Sequence, residues 1–138
     1  MLAFLFLFEE LSIKNSYSLA LKYELIYWNE FIDNIKPNEE IFLFLKKCKQ
    51  LGLSVCAISD MQPNVQIKKL EKLEATKLID FLVTSEEVGY EKPEPIIFEK
   101  ALKKLHLEKS EVIMIGDDQL KDIEGAKSFG IKAFKFQA

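Results

Sequence analysis

Six side chains of the types that handle phosphate and magnesium follow apolar segments of this sequence or lie in a loop between them. These residues are Ser59, Asp60, Lys92, Asp117, Asp118 and Asp122. Carboxylates hold Mg²⁺ through oxygen ligands, while a hydroxyl and an ammonium group orient and neutralise phosphoryl oxygens. The combination predicts phosphoryl-transfer chemistry if the fold brings these groups to one place.

Each of these residues also has a purely structural interpretation when it is taken alone. A loop lysine such as Lys92 is usually a solvated charge, and a serine such as Ser59 after a strand is most often a helix cap. The acids in GDDQLKD can simply complement the dipole at the start of a helix. These interpretations weaken when a hydroxyl, an ammonium and several carboxylates converge on one rim of a sheet.

The set has no evident nucleophile. Ser59 has no evident base, because the single histidine, His106, falls in LHLEKS between a predicted helix and a predicted strand. We expect His106 to lie on the surface. Pro93 and Pro95 fix the backbone around the loop lysine, so we expect this loop to present Lys92 rigidly just before a helix.

Alternating apolar and helical segments predict the fold that positions these residues. Four apolar segments predict strands, at residues 53–58, 79–84, 112–115 and 131–136. Strands joined through single helices, here beginning at Pro63 and Pro95, predict a doubly wound α/β fold with one open parallel sheet covered on both faces. In such a sheet the functional residues gather at the carboxyl ends of the strands, which is where Ser59 and Asp117 fall.

The first 36 residues differ from this alternating region. Apolar residues between Leu11 and Ile35 recur at helical spacing. Residues 1–11 suit either another helix or a buried strand, because the run LAFLFLF is compatible with both. A boundary is predicted at Lys36 and Pro37, followed by a helix that ends near Gly52.

Charge and composition limit the partners. The net charge of -3 provides no basic face for a phosphate backbone, so no nucleic acid partner is expected. All 19 basic residues are lysines, so an anion site must use lysine or backbone N–H groups in place of the bidentate arginine fork.

Two isolated cysteines, Cys48 and Cys56, are expected to pack in the interior, which indicates a reducing, cytoplasmic setting. The apolar start lacks a basic leader and is too short to span a bilayer, so neither export nor a membrane partner is expected.

The order of Ser59, Lys92 and GDDQLKD resembles the second, third and fourth motifs of the haloacid dehalogenase superfamily. The resemblance is strongest to the subfamily with a helical cap inserted after the first strand, and it runs nearly continuously through VTSEEVGYEKPEPIIFEKAL and IMIGDDQLKDIEGAKSFGIKAF. It implies a Rossmann-type core at residues 37–138 that lacks the first strand. Residues 1–36 resemble the later part of the cap.

The resemblance also implies roles for the residues. Ser59, Asp60 and Lys92 would bind the phosphoryl group, with Ser59 donating a hydrogen bond and Lys92 offsetting charge. Asp117 and Asp122 would hold Mg²⁺, and Asp118 is a substitute in that role. Because a dehalogenase needs no metal, the acids favour a phosphatase.

The sequence departs from the family at its start. Family members open with a strand carrying DxDx(T/V), whose first Asp is the nucleophile, and no DxD occurs in this chain. If residues 1–11 were a vestigial first strand, Leu7 and Glu9 would stand at the two aspartate positions. We prefer the cap interpretation, which places the first strand upstream of Met1.

Two functions therefore stay open. The first is a Mg²⁺-dependent phosphatase of a small phosphorylated metabolite, of which this chain is an incomplete and inactive part. It predicts a DxDx(T/V) motif upstream in the genomic DNA. The second is a non-catalytic protein that keeps a phosphate or metal site, or only the fold, to bind a partner. A receiver domain is discounted. In receivers the acidic pair follows the first strand, near the N-terminus, whereas here Asp117 and Asp118 precede only one helix and one strand.

The absent first strand has a structural consequence. In this family it is the central strand, between the strands that end at Ser59 and Asp117, so two hydrogen-bonding edges would face a gap. We expect residues 1–8 to close this gap or the chain to form a homodimer through it.

Overall fold

The computed structural model describes residues 2–137, and the chain divides into two compact units, one ending at Lys36 and the other beginning at Pro37. The first unit is a pair of helices, α1 (Leu2–Glu10) and α2 (Tyr17–Asn34). Aromatic side chains join the two helices. The ring of Tyr23 lies 6.1 Å from that of Phe4 and 5.8 Å from that of Phe8, measured between centroids.

The helical state of α1 decides between the two interpretations of the apolar run LAFLFLF. A vestigial first strand at this position is wrong for residues 2–10, which are helical. The expectation that residues 1–8 close the gap in the sheet is also wrong for residues 2–8, because a helix uses its backbone N–H and C=O groups internally and cannot complete a strand ladder. Met1 lies outside the described residues.

The second unit alternates helices with strands. Its α-helices are α3 (Glu39–Gln50), α4 (Pro63–Lys72), α5 (Ser85–Val88), α6 (Pro95–Leu105) and α7 (Gly125–Phe129). Its strands are β1 (Cys56–Ser59), β2 (Phe81–Thr84), β3 (Ile113–Gly116) and β4 (Lys132–Lys135). Two 3-10 turns (Thr76–Leu78 and Lys109–Glu111) and a π-helix (Gln119–Glu124) complete it.

Local chemistry explains where several of these elements begin and end. Asn38 caps α3 by accepting the N–H of Ile41 at 3.1 Å, and Pro63 and Pro95 occupy the first turns of α4 and α6. The predicted six-residue strand at 53–58 starts later than expected. The N–H of Leu53 returns to the carbonyl of Cys48 at 2.9 Å and closes the end of α3, so the strand begins only at Cys56.

The four strands form two parallel pairs. β1 pairs with β2, with Ser59 opposite Thr84, and β3 pairs with β4, with Gly116 opposite Lys135. In the described part of the chain no strand joins β1 to β3, which is the gap expected between the strands that end at Ser59 and Asp117. The physical reason is that the remaining apolar segment, LAFLFLF, is helical and supplies no strand. The predicted α/β class, with parallel strands and helical crossovers, is confirmed.

The core of the second unit lies around α6. Ile97 and Phe98 on this helix and Val83 on β2 are fully buried. The ring of Phe98 stacks on that of Phe129 with centroids 5.9 Å apart, which ties α6 to α7. This packing fixes the loop that precedes α6 and carries Lys92. None of the described helices has the length and apolar character needed to cross a lipid bilayer.

Candidate functional site

Ser59 lies at the carboxyl end of β1 and its hydroxyl is already oriented. Its Oγ accepts the N–H of Met61 at 3.1 Å and donates to Oε1 of Gln66 on α4 at 3.3 Å. Gln66 is not a base, so the hydroxyl is positioned rather than activated. This geometry suits a hydrogen bond to an anion and not nucleophilic attack.

Lys92 connects strand β1 with the π-helix that follows strand β3. Its ammonium donates to the carbonyl of Ile58 on β1 at 3.4 Å and to Oδ1 of Asp122, which follows β3, at 2.8 Å. The side chains of Lys92 and Asp122 are only 12% and 5% exposed. An ion pair this well shielded is weakly screened by solvent, so it fixes the ammonium in place.

Asp60 positions the Lys92 loop instead of pointing freely into the site. Its Oδ1 accepts the backbone N–H of Lys92 at 2.9 Å, and its Oδ2 pairs with the ammonium of Lys121 at 2.9 Å. The carbonyl of Asp60 accepts the hydroxyl of Ser85 at 3.1 Å. Both carboxylate oxygens of Asp60 are in use, and its phosphate-binding role stays a prediction.

Lys121 is held by two carboxylates. Its ammonium also lies 3.1 Å from Oε2 of Glu91. The hydrogen bonds that Lys121 donates to Asp60 and then to Glu91 raise the pKa of Lys121 above its ordinary value. The network therefore joins the end of β1, the loop before α6 and the π-helix after β3.

Asp122 packs directly against the last residue of β3. Its Oδ2 accepts the N–H of Asp118 at 3.1 Å, and a Cβ added to Gly116 would overlap the carboxylate. Only glycine allows this close approach. The residue is buried, and its two oxygens bond an ammonium and a backbone N–H.

Asp117 and Asp118 have different surroundings although they are adjacent. Asp118 caps the π-helix, because its Oδ1 accepts the N–H groups of Leu120 at 2.9 Å and Lys121 at 2.8 Å. These hydrogen bonds, that of Lys121 first, lower the pKa of Asp118. Asp117 is exposed, and its side chain makes no hydrogen bond or ion pair within residues 2–137.

The role of these carboxylates as magnesium ligands stays a prediction. Within the described residues no three side chains of the metal-binding types form a cluster. Within residues 2–137 the carboxylate of Asp117 has no side-chain partner, and it lines the same cavity as Asp122 of the π-helix. Mg²⁺ is commonly held by one or two protein carboxylates together with water and phosphate oxygens. One oxygen of Asp118 and both oxygens of Asp122 already have partners, so either residue must give up or share a contact to bind the metal.

The structure brings the predicted site residues to one rim and adds residues that the sequence did not reveal. Gln66 orients Ser59, and Lys121 with Glu91 supports Asp60. These contacts join residues that are up to 61 positions apart in the sequence, so no short sequence pattern predicts them. The nearest signal for Lys121 was its place beside Asp122 in GDDQLKD. His106 is exposed at the end of α6 and is not part of this network, as expected.

Comparison with known proteins shows the family of this chain. Residues 6–136 match the family described as haloacid dehalogenase-like hydrolase. The chain is 31% identical over 110 residues to a ribulose-1,5-bisphosphate 5-phosphatase of Halopiger xanaduensis, covering 80% of this chain and 46% of that protein. It is 37% identical over 93 residues to a glyceraldehyde 3-phosphate phosphatase of Pyrococcus furiosus, covering 67% of this chain and 39% of that protein.

A solved structure extends the likeness to the fold. The crystal structure of a HAD phosphatase from Thermococcus onnurineus superposes with a TM-score of 0.67 and 26% identity, over 96% of this chain and 58% of that one. This chain spans less than half the length of the two phosphatase relatives above. With the family match, the parallel-strand core and the sequence identities together, the chain belongs to the haloacid dehalogenase-like hydrolase family.

Proposed function

We propose that this chain provides the phosphate-holding part of a Mg²⁺-dependent phosphatase that acts on a small phosphorylated metabolite. The observation that carries the proposal is the shielded ammonium of Lys92, fixed between the carbonyl of Ile58 and the carboxylate of Asp122. The phosphatase relatives support it, since both are named for small phosphorylated molecules.

The residues at the carboxyl ends of β1 and β3 have different roles in the proposed binding of a phosphoryl group. The Lys92 ammonium offsets the charge of the phosphoryl oxygens, and the Ser59 hydroxyl, held in place by Gln66, donates a hydrogen bond to one of them. Asp60 keeps the Lys92 loop in position through the backbone N–H of Lys92. Asp117 and Asp122 are the residues that would hold Mg²⁺, which neutralises phosphate charge when bound.

The chain is expected to hold phosphate without hydrolysing its ester. The sequence contains no DxD, and the Ser59 hydroxyl contacts an amide oxygen and a backbone N–H instead of a base. We therefore infer that this chain by itself does not turn over a phosphate ester. We place it in the cytoplasm, in keeping with its free cysteines, Cys48 and Cys56.

Titration with inorganic phosphate, with and without Mg²⁺, tests the site by NMR. We expect amide shifts to cluster at Ser59, Lys92 and residues 116–119. Lys92→Met should weaken phosphate binding at least about tenfold, because a hydrogen bond to a charged group contributes about 1.5–3 kcal/mol. Lys68→Met, on an exposed lysine of α4, is the matched control and should leave the affinity unchanged. Equal affinities in the two variants would contradict the site.

A turnover assay tests the inferred inactivity separately. With p-nitrophenyl phosphate and Mg²⁺, we expect no hydrolysis by this chain above the Lys92→Met background. Hydrolysis that depends on Lys92 would show that a nucleophile is present after all.

A non-catalytic phosphate-binding protein is the second candidate. The absence of DxD from the given sequence favours it. Phosphate binding without turnover in this chain fits both candidates, whereas turnover by a longer form carrying an upstream DxDx(T/V) strand would decide for the phosphatase.

A further inference from the structure

Two consecutive residues of the π-helix are linked to opposite ends of Lys92. Oδ1 of Asp122 accepts the Lys92 ammonium at 2.8 Å. Lys121 is linked to the same residue through Asp60, because its ammonium lies 2.9 Å from Oδ2 of Asp60 and Oδ1 of Asp60 accepts the backbone N–H of Lys92 at 2.9 Å. The ammonium of Lys92 is therefore held by Asp122, and its backbone is held by Asp60 together with Lys121.

The position of Lys121 is itself fixed. Its backbone N–H donates to Oδ1 of Asp118 at 2.8 Å, and its ammonium also lies 3.1 Å from Oε2 of Glu91, the residue just before Lys92. A free lysine side chain samples many rotamers, and these contacts restrict it to one arrangement. Lys121 is therefore a fixed positive charge beside Asp60 and not a mobile surface lysine.

Asp60 needs such a positive charge. Its side chain is only 18% exposed, and a carboxylate shielded from water is costly without a cation. Asp60 also directly follows Ser59 at the carboxyl end of β1, so its negative charge lies beside the place where a phosphoryl group would bind. Because like charges that share a site disfavour each other, an unpaired Asp60 carboxylate would weaken the binding of an anion.

We propose that Lys121 is a positioning residue of the phosphate site, which keeps the Asp60 carboxylate on the backbone N–H of Lys92 and offsets its charge. This role rests on the proposed phosphate-binding function. Lys121 does not itself bind the phosphoryl group, because its ammonium already donates to two carboxylates. Without Lys121, Asp60 is free to turn away from the N–H of Lys92, and the loop that presents Lys92 loosens.

Titration with inorganic phosphate, followed by NMR, measures this role. Lys121→Met should weaken phosphate binding about fivefold, since residues of one hydrogen-bonded network are energetically coupled. Lys121→Arg keeps a charge that pairs with carboxylates and should bind phosphate within about twofold of the natural sequence. Lys127→Met removes the same charge from an exposed position of α7 and should leave the affinity unchanged. Equal affinities in Lys121→Met and Lys127→Met would overturn the proposal.

Amide hydrogen exchange in the absence of phosphate gives a second measurement. In Lys121→Met the backbone N–H of Lys92 should exchange at least about fivefold faster than in the natural sequence, because its acceptor is no longer held in place. The amides of β2 should keep their rates, which shows that the fold is intact. If Lys121→Met fails to fold, Lys121→Gln, which also lacks the charge, takes its place. An unchanged rate at Lys92 would contradict the proposal.

A double-mutant cycle with Asp60→Asn tests whether Lys121 acts through Asp60. Asparagine keeps an acceptor oxygen for the N–H of Lys92 but carries no charge that needs an ammonium. In the Asp60→Asn background, Lys121→Met should therefore change the phosphate affinity by less than about twofold. A loss of about fivefold in that background would refute the positioning role and make Lys121 a direct phosphate ligand.

The outcomes separate this role from the function on which it rests. A natural sequence that does not bind phosphate contradicts both the phosphate site and the role of Lys121. Phosphate binding that Lys121→Met leaves unchanged contradicts only the role of Lys121. Binding that is weakened in Lys121→Met and kept in Lys121→Arg, together with faster exchange at Lys92, supports both.

Discussion

The ammonium of Lys92 lies 2.8 Å from Oδ1 of Asp122, and both side chains are almost completely shielded from solvent. The two residues come from different parts of the unit, since Lys92 precedes α6 and Asp122 follows β3. Because Lys92 also bonds the carbonyl of Ile58, it links the two pairs of strands, as does the contact of Lys121 with Asp60. The pair is therefore a structural joint as well as the centre of the proposed phosphate site.

Removal of one partner from this pair should be strongly destabilising. Lys92→Met leaves the Asp122 carboxylate buried without its cation, and we expect a loss of about 3–5 kcal/mol in the free energy of unfolding. The double variant Lys92→Met with Asp122→Asn should lose less than the sum of the two single variants, because it removes the unpaired charge. Urea unfolding followed by circular dichroism measures these losses.

An exposed ion pair provides the control for this cycle. Lys103 pairs with Glu99 at 2.8 Å on the surface of α6, where the two side chains are 70% and 51% exposed. Lys103→Met should leave the unfolding free energy nearly unchanged, because solvent screens an exposed pair. Equal losses in Lys92→Met and Lys103→Met would show that the buried pair is not a joint.

Gly116→Ala should disrupt the site through a steric overlap. The added methyl group would overlap the carboxylate of Asp122 and force it away from Lys92. We expect a loss of about 1–3 kcal/mol in stability, together with weaker phosphate binding. Gly52→Ala is the matched control, because its φ of +73° makes alanine strained while nothing lies within 4 Å of the new methyl group. It should lose about 1 kcal/mol without any change in phosphate affinity.

The elements that the sequence predicted well are those set by local chemistry. Pro63 and Pro95 marked helix starts because a proline ring favours the first turn, and the apolar segments marked four strands. The first and last residues of these strands were predicted less accurately than their existence. The strand at 53–58 lost its first residues to the backbone hydrogen bond between Leu53 and Cys48, a detail that apolar character alone does not encode.

For the site too, the sequence revealed residues marked by their local context and missed residues whose role depends on contacts between distant segments. The sequence singled out Ser59, Lys92 and the acids because they stand after apolar strands in a recognisable order. It gave no sign of Lys121 as the partner of Asp60, since that contact depends on the crossing of distant segments and on a π-helix. The state of LAFLFLF was ambiguous because neither strand nor helix periodicity is present in a continuous apolar run.

Cys56 should react slowly with alkylating agents in the folded protein. Burial raises the pKa of its thiol to about 11, so at pH 8 only roughly one molecule in a thousand carries the reactive thiolate. In a Cys48→Ala background, the rate of reaction with iodoacetamide should keep rising with pH to about 11. The same variant unfolded in urea should level off near the ordinary thiol value of 9.0. A plateau near pH 9 in the folded chain would contradict the burial of this thiol.

Asp80 should make the fold of the second unit more sensitive to acid. Its Oδ1 pairs with the ammonium of Lys49 at 2.5 Å and its Oδ2 accepts the N–H of Val55 at 2.7 Å, just before β1. The hydrogen bond from Lys49 and then that from Val55 lower the pKa of Asp80 below its ordinary value of 3.8. Since the folded state favours the charged carboxylate, this contribution is present above pH 3.8 and is lost as the pH falls through the lower, folded pKa.

Asp80→Asn should therefore melt at a lower temperature than the natural sequence at pH 7, and the difference between their melting temperatures should shrink between about pH 5 and pH 3. Thermal melts followed by circular dichroism at pH 7, 5, 4 and 3 measure the difference. Glu94→Gln, on an exposed residue at the start of α6, controls for the loss of one negative charge and should track the natural sequence at every pH. A difference for Asp80→Asn that stays constant down to pH 3 would mean that the Asp80 carboxylate does not hold the start of β1 through its charge.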